Sequence, residues 1–197
     1  MQETDPTLIR AAAAGDLDAF EQIVRLHQQP VWRFLRRLLG DEADAEDVAQ
    51  ETFLRAFRRL PTYTFQSAFS TWLLQVARNA GIDELRARGR RTRLEGALRP
   101  TSPATGHAGQ TGQARVEIDA ALASLPAEPR EALLLVEVLG LPYAEVARVL
   151  GVPTGTVKSR VFTARVRLAE WARAADADDV GTADPVRRSE GGSTREV

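Results

Sequence analysis

The chain has 197 residues, 44% of them hydrophobic and 27% charged, with a net charge of −1 and no cysteine. That length suits one mid-sized domain or two small ones with buried cores, and the missing cysteine excludes disulfides and thiolate metal sites. No apolar run is long enough to span a bilayer, and the polar start "MQETDPTLIR" carries no export signal, so a cytoplasmic protein without membrane contact is expected.

The near-zero net charge conceals a segregation. Asp41 to Glu51 holds six acids and no base, and Arg78 to Arg93 holds six arginines against Asp83 and Glu84. Thr154 to Arg173 holds five bases against Glu170. Blocks of opposite sign in this order point to separate surfaces for separate partners.

In chain order, Asp16 caps a predicted helix from Leu17 to Leu39, with Phe20, Ile23, Val24, His27, Val31, Phe34, Leu35 and Leu38 on one stripe. A second helix is predicted from about Ala43 to Arg59, ended by Pro61. On it Asp44, Asp47, Gln50, Glu51 and Arg55 share a face. Such a face can pair with basic side chains of a partner helix, or its acids can simply stabilise the helix dipole. Both readings stand on the residues alone.

Next comes "YTFQSAFSTW", Tyr63 to Trp72, with four aromatics and no charge. A third helix is predicted from a Ser67 cap to about Arg88, with Trp72, Leu73, Val76, Ala77, Ala80 and Leu85 inward. Phe69 and Trp72 fall on that inward stripe and read as core.

Residues 95–114 are rich in Gly, Pro, Thr and Ser and read as a flexible linker. Further helices are predicted near Val116–Ala123, at Ala127–Leu139, at Tyr143–Leu150 and from Thr154 to about Ala174. The polar tail, 175–197, reads as disordered. The expected fold is all-α: a helical domain over 1–94, a tether, and a second helical domain over 115–174.

"PYAEVARVLGVPTGTVKSRVFTARVRL" (Pro142–Leu168) is the most specific stretch. Gly151 permits a tight inter-helix turn, Val152 plugs the angle, and Val157, Val161, Ala164 and Leu168 form one buried stripe. Thr154, Thr156, Lys158, Ser159, Arg160, Phe162, Thr163 and Arg165 are the candidates for touching duplex DNA as a helix-turn-helix. A plain αα-hairpin with a solvated basic face is the bland alternative.

From Leu125 to Arg160 the Leu-Pro pair, the Arg-Glu pair and the Gly-Thr-Val-Lys-Ser-Arg run resemble the −35-reading region of sigma-70 family transcription initiation factors. The extracytoplasmic-function (ECF) class is the nearest match. Thr163 stands where that family often has a base. "DEADAEDVAQETFLRAFRRL" (Asp41–Leu60) resembles the family's helix that docks on the clamp coiled coil of core RNA polymerase. "YTFQSAFSTWLLQVARNAGIDELRARGRR" resembles its −10-reading region, with Tyr63 as the loop's anchor.

The resemblance implies a factor that binds polymerase through clamp and flap. It implies promoter DNA read as duplex at −35 and as melted strand at −10, with the tether near the active-site channel. An anti-sigma partner that clamps the two domains is a further implication. The loop Thr64, Phe65, Gln66 departs from the family's pattern and is expected to shape the pocket for a flipped base. It would act with Gln75, Arg78, Asn79, Asp83, Arg86, Arg90 and Arg91, combining stacking with backbone charge.

The rival reading is a helix-turn-helix regulator that recruits no polymerase, which would need neither the acidic helix nor the aromatic loop. An enzyme is not expected. His27 lies on a core stripe and His107 in the linker, and no phosphate loop, nucleophile elbow or metal-ligand spacing occurs, so no metal or cofactor is expected.

Overall fold

The computed structural model describes residues 1, 3–96 and 110–181, without the side chains of 94–116 and 176–181. Among the described residues all regular structure is helical. The helices are α1 (Pro6–Ala13), α2 (Leu17–Leu39), α3 (Glu42–Arg59), α4 (Phe69–Gly96), α5 (Gln110–Ser124), α6 (Ala127–Glu137), α7 (Tyr143–Leu150) and α8 (Thr154–Gly181). A single 3-10 turn, Leu60–Thr62, follows α3.

The first bundle, α1–α4, closes over Ile23, Phe34, Leu35, Leu38, Phe53, Leu60, Phe69, Leu73 and Leu74, all buried. Helices α2 and α4 approach closely because α4 carries Gly81. A β-carbon there would lie 2.8 Å from Leu38 Cδ2 and 3.1 Å from Leu35 Cδ2. The second bundle, α5–α8, closes over Leu125, Leu134, Leu135, Val146, Val157, Val161 and Ala164. Between α7 and α8 the chain turns at Gly151, whose φ of +67° is open to glycine at little cost, and the Val152 N–H returns to Ala147 O at 3.1 Å.

The bundles touch. Helix α7 packs against α4, and α5 and α6 pack against α2.

Several sequence expectations shift. Helix α1 is additional: Asp5 accepts the Thr7 N–H at 2.7 Å and Pro6 takes the first turn, where its missing N–H costs nothing. Helix α4 begins at Phe69 rather than at a Ser67 cap, since its first backbone bond runs from Trp72 N to Ala68 O. It also runs on to Gly96, α5 starts earlier than Val116, α6 ends at Glu137, and α8 passes Ala174 to reach Gly181. The linker expected over 95–114 therefore loses both ends to helix, and its remainder, 97–109, lies outside the described residues, as do 182–197 of the expected tail.

Candidate nucleic-acid and polymerase interfaces

Helix α3 does not carry the uncompensated acidic face that the sequence implies. Asp44 pairs with Arg88 of α4, and Glu51 accepts from Arg55 at 2.8 Å. Arg55 then reaches Asp83 of α4 at 2.9 Å. Hydrogen bonds to these two carboxylates hold the Arg55 guanidinium above its ordinary pKa. Burial pulls Arg88 the other way, opposed by the nearby Asp41 charge. Two of the five candidate docking residues, Asp44 and Arg55, thus tie α3 to α4, and Glu51 holds Arg55 within α3.

Asp47 and Gln50 remain exposed. Gln50 borders a groove of about 680 Å³ between α2 and α3, lined also by Val24, Trp32, Ala49, Phe53 and Leu54. Leu54 is 52% exposed although it is a large apolar residue in mid-helix. The sequence reading missed this groove. The signal was Trp32 and Leu54 lying off the core stripes of their helices.

The aromatic stretch divides as expected. Phe69 is buried and Trp72 half-buried, and Tyr63 meets Phe69 edge-on and Trp72 at a tilt, with ring centroids 5.6 and 5.3 Å away. The Tyr63 hydroxyl donates to Ser67 O at 2.6 Å and so closes the loop on itself. Burial, and secondarily the charge of Glu3, raises the Tyr63 pKa.

Phe65 lies at the tip with φ +58° and is 42% exposed. A left-handed phenylalanine costs on the order of 1 kcal/mol or more and persists only where its surroundings impose it. Here Tyr63 flanks the ring at 4.7 Å and the Arg10 guanidinium stands 5.1 Å from its centroid. Thr64 and Gln66 are exposed beside it. Below them opens a pocket of about 360 Å³, lined by Tyr63, Phe65, Gln66, Phe69 and, from the N-terminal segment, Glu3, Thr4 and Ile9.

Along α4, Asn79, Asp83, Arg86, Arg90 and Arg91 are exposed, with Arg91 bonded to Glu84 at 2.5 Å. Gln75 and Arg78 are only half-exposed, because both meet the second bundle.

On α8, Thr154, Lys158, Ser159 and Phe162 form one outward face, Phe162 being 69% exposed. Thr156 and Thr163 are half-buried at its edges. Arg160 bonds Glu128 of α6 at 2.8 Å, and Arg165 bonds Glu137 of α6, which raises the Arg165 pKa. Val157, Val161 and Ala164 are buried on the opposite side. The geometry is that of a helix-turn-helix with a small, hydroxylated and cationic outer face.

The two bundles coincide with two family models, Sigma-70 region 2 over residues 23–91 and Sigma-70 region 4 over residues 115–168. Relatives agree over most of the chain. The ECF RNA polymerase sigma factor SigC of Mycobacterium tuberculosis is 40% identical over 164 residues, covering 83% of this chain and 88% of its own.

The chain belongs to the sigma-70 family, in its ECF class.

The ECF RNA polymerase sigma factor SigM of M. tuberculosis is 36% identical over 168 residues, covering 85% of this chain and 84% of its own. Among solved structures, this sigma factor resembles RpoE of Bartonella quintana, in a co-crystal with the anti-sigma factor NepR, at TM-score 0.68 and 29% identity. That match spans 80% of this chain and 98% of the other. CnrH, in complex with the cytosolic domain of CnrY, matches at TM-score 0.68 and 25% identity over 85% and 96%. Family membership makes the protein a transcription initiation factor. None of its described helices is long and apolar enough to cross a membrane.

Proposed function

We propose that this sigma factor binds core RNA polymerase and directs it to promoters by reading the −35 element as duplex and the −10 element as melted strand. The observation that carries the reading is the tip at Thr64–Gln66. An uncharged aromatic is held outward in a strained backbone, over a pocket of about 360 Å³, at the head of a cationic helix. Strain of this kind concentrates at functional sites. Holding an unstacked base needs a π-face plus backbone charge, and stacking supplies roughly 1–3 kcal/mol per base. That compares with the few kcal/mol required to extrude one, so binding can drive local melting without nucleotide hydrolysis.

Duplex reading falls to the outward face of α8, with Lys158, Ser159, Arg160, Phe162 and Arg165 toward base edges and phosphates, and Thr154 at the close approach. Polymerase docking falls to Asp47, Gln50 and the apolar groove beside them, a small hydrophobic patch with a polar rim. An anti-sigma partner, as seen with the RpoE relative, fits the same two-bundle plan.

The test combines the protein with core RNA polymerase and a promoter library and maps transcript starts. Starts that share a pair of upstream elements are expected. Duplex binding without promoter-directed transcripts would instead establish the helix-turn-helix regulator.

A further inference from the structure

The pocket beneath Phe65 has two walls of different origin. The aromatic loop supplies one, and the segment ahead of α1, together with α1 itself, supplies the other through Glu3, Thr4 and Ile9. This second wall is anchored at every step. Thr4 is only 2% exposed, with its hydroxyl 2.6 Å from Nε2 of the buried His27. Asp5 caps α1 on the Thr7 N–H, Ile9 is buried, and α1 packs against the Leu60–Thr62 turn that leads into the loop. Glu3 is therefore held one residue from a fixed point.

Glu3 itself is exposed, and among the described residues no cation pairs with it. Arg10, the basic residue nearest to it in the sequence, stands instead over the Phe65 ring. After burial, the Glu3 charge is what raises the Tyr63 pKa, which sets the carboxylate on the pocket side of the segment. Two other polar groups of the pocket are already engaged: the Tyr63 hydroxyl donates to Ser67 O, and the Thr4 hydroxyl meets His27. Glu3 and Gln66 remain for a ligand, one on each wall, with Ser67 and Arg148 of α7 also on the lining.

A carboxylate with no partner in the fold has a definite ligand chemistry, because it only accepts hydrogen bonds. Cytosine, adenine and guanine each present an amino group on the pairing edge, and a carboxylate accepting from such a group is a direct base-reading pair. Thymine presents one N–H between two carbonyls, so a carboxylate there sets lone pairs against lone pairs. Leaving a polar group unpaired costs more than a good pair gains, so the mismatch excludes more strongly than the match attracts.

We infer that Glu3 determines which base is held under Phe65, admitting bases with an amino donor on the pairing edge and refusing thymine. The Thr4–His27 bond is the positioning contact behind it. The inference rests on the reading of the Thr64–Gln66 tip as the strand-holding surface.

The test runs the promoter library with core RNA polymerase on the unsubstituted chain, on Glu3→Gln and on Thr4→Val, and compares base preference position by position. The unsubstituted chain should disfavour thymine at one position of the element nearer the start. The amide of Glu3→Gln can donate to a thymine carbonyl. Thymine at that position should then gain about tenfold over the other bases, in line with one base-edge contact, and no other position should move. Thr4→Val keeps the carboxylate but cuts its anchor, and should relax the same position by a smaller factor. A preference unmoved in Glu3→Gln, a shift spread over many positions, or thymine favoured there by the unsubstituted chain overturns the inference. Relaxation in Glu3→Gln with none in Thr4→Val overturns the positioning role alone. A lack of promoter-directed transcripts from all three chains overturns the strand-holding reading itself, an outcome distinct from the others.

Discussion

His27 shows what one residue can cost. It is buried in α2, its Nε2 lies 2.6 Å from the Thr4 hydroxyl, and its Nδ1 has no hydrogen-bond partner. Burial, helped by the N-terminal charge, lowers its pKa from 6.5 to about 4. Between those values the unfolded chain binds a proton that the folded chain refuses, so stability falls as pH drops from 6.5 toward 4 and levels off below. At about 1.4 kcal/mol per unit, the loss is on the order of 3 kcal/mol. Urea unfolding of His27→Leu at several pH values should lack this slope, and an equal slope in the variant would assign it elsewhere. Phe65 is the opposite case, strain kept for use. Phe65→Gly should match or exceed the parent in stability, by about 1 kcal/mol, because glycine accepts the positive φ. It should nonetheless initiate transcription roughly tenfold less well through loss of one stacking ring. Unchanged initiation would remove Phe65 from the base pocket. The aromatic run was legible as to which rings are core, because spacing decides that; the left-handed tip was not, since it depends on Tyr63 and Arg10 arriving from elsewhere in the fold.

At the scale of elements, helical periodicity made α2, α3 and α7 readable nearly to their ends and α8 readable at its start, and the glycine turn located the helix-turn-helix. Helix α1 escaped because a short alanine-rich segment has little periodicity, although Asp5–Pro6 was a usable start signal. The charge of α3 was misjudged for a different reason. The base that holds Asp44 comes from α4, 44 residues along the chain, so Asp44 looked free while Arg88 held it. Reversing Glu51 to lysine would also remove one of the two carboxylates that hold Arg55 beside α4, whereas Leu54→Asp with Gln50→Ala alters only the groove rim. That pair should weaken core-polymerase binding by at least about tenfold, in line with the loss of a buried apolar anchor, and Arg160→Ala should leave it unchanged. Equal affinities in a fluorescence titration would move docking off this groove. Packing offers a separate check. Gly81→Ala gains helix propensity of about 1 kcal/mol but drives a β-carbon into Leu38 and Leu35, both fully buried. Overpacking should win, and a more stable variant in thermal melts would mean that α2 and α4 can move apart.

At the scale of the whole molecule, the contact between bundles was beyond the sequence. Nothing in a list of charges says that Arg78 meets Glu131, or Arg36 meets Asp119, until two helices at opposite ends of the chain are brought together. That contact sets the salt dependence of strand binding. Each phosphate held by Arg86, Arg90 or a freed Arg78 releases counterions, so log affinity should fall with log salt by roughly 0.7 per contact on a single strand. While the bundles touch, a second effect opposes this. Separating Arg36, Arg37 and Arg78 from their carboxylates exposes ions that salt screens, so rising salt increases the open fraction while it weakens the strand contact. The unsubstituted protein should therefore show a shallower salt slope than a Glu131→Gln, Asp119→Asn chain, and the two affinities should converge at high salt. A salt titration of labelled single-stranded DNA against both proteins reads this out. Parallel lines at every salt concentration would mean that the bundles part without breaking ion pairs, and the interface would then owe its hold to Gln75, Arg130 and packing rather than to charge.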